Sequence, residues 1–93
     1  MKVSMFAALL YDQINVSNIQ DLLDGLLTPK ELEEIERRIA VVKLIKAKMP
    51  HHEIAAKLNV GIATVTRGSR ELQRGRFSQI KPNKNAWRNS SSA

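Results

Sequence analysis

Two adjacent histidines, a glutamate beside them and a run of small hydroxyl and basic side chains are the residues of this sequence that invite chemistry. His51, His52 and Glu53 are consecutive, so on a helix their side chains point about 100° apart. No His-Glu-x-x-His spacing puts two imidazoles on one face, and a solvated helix start is the expected reading. The sequence has no cysteine, which excludes disulfides and thiolate zinc sites. No nucleophile is paired with a base, so the residues do not favour an enzyme. Gly61 to Gly68 lacks the lysine of a phosphate-binding loop and has a helical pattern.

The charge points elsewhere. The 93 residues carry 15 Lys+Arg against 9 Asp+Glu, a net charge of +6. Residues 1–49 are balanced, seven against seven; residues 50–93 hold eight basic side chains against Glu53 and Glu71. An excess confined to one half suits a polyanion, nucleic acid before membrane, although a plain basic surface gives the same count. The basic half lacks a large apolar face for lying on a membrane. No apolar run approaches the roughly 20 residues of a membrane span, and nothing resembles a signal peptide. The expectation is one soluble, intracellular domain.

The basic half contains HHEIAAKLNVGIATVTRGS, His51 to Ser69. This has the mechanics of a helix-turn-helix. Ile54 and Leu58 face a core, Ala55 is small where the second helix approaches, and Val60 plugs the turn. Asn59 takes the tight-turn position, where a left-handed backbone favours Gly first and Asn next. Val65 anchors the second helix, whose N-terminus such a motif places in the DNA major groove. Ile62, Ala63 and Thr64 would then read base edges, partly through thymine methyls. Thr66, Arg67, Ser69 and Arg70, with His52 and Lys57 from the first helix, would hold phosphates. An ordinary helical hairpin is the alternative.

These elements need positioning, and helical periodicity supplies it nearly throughout. Phe6, Leu9, Leu10 and Ile14 predict a first helix near Ser4 to Gln13, followed by a break at 15–18. Ile19, Leu22, Leu23, Leu26 and Leu27 predict a second, capped by Asn18 or Ser17. Thr28-Pro29 opens a third, with Glu31 placed for a capping box. Leu32, Ile35, Ile39, Val42, Ile45 and Met49 recur at steps of three and four to Pro50. From Thr28 to Met49 that helix would be about 33 Å long. So long a beam reads as a dimer spine, or else as the centre of a monomeric bundle. His51 to Leu58 and Ile62 to about Leu72 complete an all-α chain with a long central helix. Residues 1–76 form the domain; 77–93, with Trp87 as the lone large apolar group of the last 13, form a basic tail expected to be disordered.

The run GIATVTRGS, together with Leu26-Leu27-Thr28-Pro29 and Arg38, resembles the tryptophan repressor family of bacterial amino-acid operons. The resemblance covers about Phe6 to Leu72. It implies an intertwined homodimer reading a palindromic operator in double-stranded DNA, in the bacterial cytoplasm at the nucleoid. It also implies L-tryptophan as corepressor, between the long helix of one subunit and the recognition helix of the other. Arg38 and Arg67 would flank the indole, with Gly68 leaving room for the ring. Thr28 and Arg67 would approach the carboxylate, and backbone carbonyls near Gly25 and Leu27 the ammonium. Guanidinium planes suit both an indole face and a carboxylate. Ligand would shift the dimer toward a DNA-competent spacing.

Several positions depart from the family pattern. Glu71 stands where a serine is usual near the ligand's amino group, and Gly25 replaces a leucine of the pocket wall. His52 and Ala55 replace basic side chains of the first helix, a residue is missing around Ala47-Lys48, and no amphipathic helix follows Gly75. Beside a tryptophan-responsive regulator stand two alternatives: the same fold with another effector or none, and a helical protein-interaction module.

Overall fold

The computed structural model describes residues 4–82. Among them all regular structure is helical: α1 (Met5–Tyr11), α2 (Val16–Leu26), α3 (Pro29–Lys46), α4 (His51–Leu58) and α5 (Ile62–Gln73). The chain divides into two units, with the boundary inside α3 between Glu33 and Glu34.

In the first unit each helix start is set by a side chain. Ser4 Oγ accepts the Ala7 N–H at 3.0 Å, and Asn15 Oδ1 accepts the Asn18 N–H at 2.8 Å. The second cap therefore lies at Asn15, not at Asn18 or Ser17, and α2 occupies most of the expected break. Asn15 is extended at φ −144° and ψ 159°, which aims its short amide at the first free donors. α3 opens with the predicted capping box. Thr28 N–H donates to Glu31 Oε1 at 2.9 Å, and Glu31 N–H donates to Thr28 Oγ1 at 3.1 Å. The Thr28 backbone bond first, and its side chain second, hold the Glu31 carboxyl below the ordinary carboxylate range. Neither α1 nor α2 buries a residue. Ile14 is 91% exposed and Val16 80%.

The second unit has a closed core. Val41 and Leu44 of α3, Met49, Ile54 of α4 and Val65 of α5 form one buried cluster, with Ile45, Ala55, Leu58 and Val60 packed against it. Ile54 and Val65 are fully buried, so α4 and α5 grip each other through the two residues assigned to that task from sequence.

All three helices of this unit end alike. Val60 N–H donates to Ala55 O at 3.0 Å and Asn59 N–H to Ala56 O at 3.4 Å. Asn59 is left-handed at φ 53°, the expected tight-turn position. Arg76 N–H donates to Glu71 O and Gly75 N–H to Leu72 O around Gly75 at φ 88°. α3 was expected to run to Met49 but stops at Lys46, for the same reason. Met49 N–H reaches Leu44 O at 3.1 Å, Lys48 N–H reaches Ile45 O at 3.0 Å, and Lys48 takes φ 69°. The turn carries Met49 back onto the Leu44 side of the core, so burial outweighs the cost of a left-handed lysine.

The chain beyond α5 is not free at its start. Residues 78–80 form a turn, and Lys46 Nζ donates to the carbonyls of Phe77 and Ile80, the latter at 2.6 Å. The expected tail thus begins as a strap tied to the end of α3. Its remainder, 83–93 with Trp87, lies outside the described residues.

Candidate functional site

Helical geometry sorts the residues of α5 into three faces. Val65, with the half-buried Ser69 and Leu72, faces inward. Ile62, Ala63, Thr66 and Arg70 lie on an exposed face, Ile62 at 53% exposure. Thr64, Arg67, Gly68 and Glu71, at steps of three, one and three, form the third. His52 and Lys57 are exposed on α4. The predicted DNA-contacting set is therefore split: Ile62, Ala63, Thr66 and Arg70 share one exposed face, Thr64 and Arg67 turn toward a cleft, and Ser69, expected on phosphate, lies half-buried on the inward face.

That cleft, about 550 Å³, lies between α3 and α5 of the same chain. Arg38, Ile39 and Val42 line it from α3, and Thr64, Arg67, Gly68 and Glu71 from α5. Four of the seven residues expected to hold a small ligand are thus brought together: Arg38, Arg67, Gly68 and Glu71. The sequence expected the long helix of one subunit against the recognition helix of the other; here both arginines line one cleft within one chain. Gly25, Leu27 and Thr28 belong to the first unit, where Thr28 caps α3.

Gly68 is small because two helices meet there. A Cβ at Gly68 would lie 3.3 Å from Val41 Cγ1, tighter than most real contacts, and 3.4 Å from Ile45 Cδ1, at the edge of ordinary van der Waals contact. Its missing side chain lets α5 approach α3, a packing reason for glycine that stands beside the expected one of leaving room for a ring.

Three further lining residues, Arg76, Phe77 and Ile80, come from the strap. Sequence reasoning missed them because the tail composition is polar and the tether, Lys46, lies 31 and 34 residues away. The local signal was the apolar pair Phe77 and Ile80 just after Gly75. Arg74 Nη1 donates to Glu71 Oε1 at 2.9 Å, and Arg76 Nε lies 3.6 Å from Glu71 Oε2. The cleft is cationic over an apolar wall, a setting for an anionic hydrophobe.

A second hollow, about 310 Å³, lies at the start of α5 between Arg37 and Arg38 on one side and Asn59, Gly61 and Thr64 on the other. Arg38 and Thr64 line both hollows. No described helix is long and apolar enough to cross a membrane.

The family model described as "Trp repressor protein" matches residues 1–81. A Trp operon repressor homolog of Vibrio vulnificus is 45% identical over 53 residues, 56% of this chain and 52% of that protein. One from Mannheimia succiniciproducens is 47% identical over 55 residues, 58% and 54% of the two chains. One from Aliivibrio fischeri is 35% identical over 71 residues, 75% and 66%. The chain spans about half the length of the first two relatives. No solved structure matches it. Over most of its length, then, this chain belongs to the Trp repressor protein family.

Proposed function

We propose that the protein is a homodimeric, DNA-binding transcriptional repressor with an effector cleft between α3 and α5. One observation carries the reading: α5 is anchored by fully buried Val65 while Ile62, Ala63, Thr66 and Arg70 stand clear on one exposed face. A short helix rigidly held from behind, with small and apolar groups near its N-terminus and a cation further on, fits the major groove. α4 and the Asn59 turn make the rest of the helix-turn-helix. The names of the relatives, Trp operon repressor homologs, point the same way.

Dimerisation follows from the first unit. Two helices with no buried residue and with Phe6, Leu9, Ile14, Val16 and Leu26 exposed have a hydrophobic surface that one chain leaves uncovered. A second copy, intertwined as in the family, would cover it. Two recognition helices about 34 Å apart, the usual repeat for helix-turn-helix dimers including this family, then require a palindromic operator. The effector is a small aromatic molecule, L-tryptophan or a relative. It would bear on α5 through Arg67 and Gly68, and so favour one spacing of the recognition helices.

Selection of random duplexes by the purified chain, with and without effector, tests this reading. The expected outcome is a palindromic motif. Arg70→Ala should weaken binding to all sequences and reduce the salt slope by about one, whereas Ile62→Ala should change the preferred bases. Enrichment of no motif would overturn the proposal in favour of a protein-docking helical module.

A further inference from the structure

The walls of the cleft are not held alike. Those from α3 and α5 share their helices with Val41, Leu44 and Val65 of the buried core, so they cannot move without opening it. The third wall, Arg76, Phe77 and Ile80, belongs to no helix. From Gln73 to Pro82 only Phe77 and Ile80 are half-buried, and their neighbours are exposed. Besides that apolar contact, two side chains anchor the segment. Lys46 Nζ donates to the Phe77 and Ile80 carbonyls, and Arg76 Nε lies 3.6 Å from Glu71 Oε2.

Such a wall opens more readily than the other two, because an exposed ion pair and one ammonium are weak ties beside a closed core. At its root Gly75 takes φ 88°, and a Cβ there would meet nothing within 4 Å, which makes this the natural pivot. Phe77 takes φ 67°, an unfavourable backbone for a bulky side chain. The Lys46 ammonium and the Ile80 N–H, the latter at 3.1 Å, both converge on its carbonyl. A strained residue persists only where its surroundings over-determine it. We infer that residues 76–80 are a movable wall of the cleft, latched by Lys46, and that a ligand in the cleft and the closed latch stabilise each other. Phe77 and Ile80 offer a ligand apolar surface only while the strap is down, so occupancy and closure favour one another by the same factor. Lys46 is thus a positioning residue that acts on the ligand through Phe77. This inference rests on the effector-cleft reading and adds the regulation of that site.

Exchange of the Ile80 N–H, read by NMR on the labelled full chain, follows the latch directly. L-tryptophan and indole-3-propionate serve as probes, with affinities from calorimetry. Saturation with a probe should slow Ile80 exchange roughly threefold or more. Lys46→Met should speed it roughly tenfold without probe, leaving the Ile54 and Val65 amides at parental rates, and should weaken probe binding roughly threefold. Lys46→Arg, whose guanidinium can donate to both carbonyls, should restore the latch and the affinity together. A probe that binds while Ile80 exchange is unchanged overturns the inference and leaves the effector cleft standing. So does a Lys46→Met variant of parental circular dichroism whose Ile80 exchange or probe affinity matches the parent. The comparison with and without probe needs no variant, so it decides the question even where Lys46→Met does not fold. Heat from neither probe, at two temperatures, overturns the effector cleft and the inference together. Absence of a duplex motif bears on the DNA-binding reading alone.

Discussion

The two units of this chain solve the problem of a small core in opposite ways. Residues 34–82 close a core between α3, α4 and α5, with Ile54 and Val65 wholly removed from solvent. Residues 4–33 have well-capped helices and no buried side chain in α1 or α2. Good caps with nothing buried fit the proposed dimer, in which the packing partner of this helix pair is a second copy of the chain. Hydrogen bonds fix where such helices start, but tertiary packing supplies most of their stability.

The contrast can be broken most forcefully at its strong end. Ile54→Ala should lower the unfolding free energy of the second unit by about 2–5 kcal/mol, read from denaturant midpoints. A cost below about 1 kcal/mol would mean that the core is looser than its zero exposure implies. At the other end, Phe6→Ala should barely change the second unit's unfolding. It should weaken self-association by roughly 1–2 kcal/mol, about 5–30-fold, in sedimentation equilibrium. A chain that stays monomeric at every concentration would remove the partner from the comparison.

A smaller effect sharpens the contrast within the second unit. Lys48→Gly should stabilise it by about 0.5–1 kcal/mol, because glycine adopts φ 69° without Cβ strain. Asn59→Gly, in the same turn geometry, should gain only a few tenths, since asparagine already tolerates that conformation. Equal gains at the two positions would contradict the strain argument.

The smallest effect belongs to the first unit and is set by pH. The folded Glu31 carboxyl lies below its ordinary value of 4.5, so the unfolded chain takes up the proton first as pH falls. The capping contribution is therefore fully present above about pH 4.5 and is lost as pH drops through the folded value. Helix content measured by circular dichroism should decline over that acidic window, and Glu31→Gln should flatten the decline. An identical acid profile in the variant would assign the loss to other carboxylates.

These cases also show what the sequence could reveal. The Asn59 turn, the Thr28–Glu31 box and the burial of Ile54 and Val65 were legible because each depends on residues within a few positions of one another. The end of α3 was not. Nothing about Lys48 announces a left-handed residue, and Pro50 offered a later stop. At the cleft, Arg38, Arg67, Gly68 and Glu71 were legible through the family resemblance. Arg76, Phe77 and Ile80 were hidden because their placement depends on Lys46, more than 30 residues earlier. The three-way split of α5 followed from helical geometry alone. That the face of Thr64 and Arg67 borders a cleft depends on the position of α3, which helical periodicity does not specify.

The shared ending of α3, α4 and α5 bears on how quickly the second unit assembles. Each reversal of direction is closed by backbone bonds spanning no more than five residues, from Leu44 to Met49, Ala55 to Val60 and Glu71 to Arg76. Little chain entropy must be lost before neighbouring helices meet, and such local topologies fold in microseconds to milliseconds. The proposed pairing of two first units would be a second-order encounter that slows with dilution. Mixing experiments should therefore resolve a fast phase independent of concentration, followed by a slower one that scales with it.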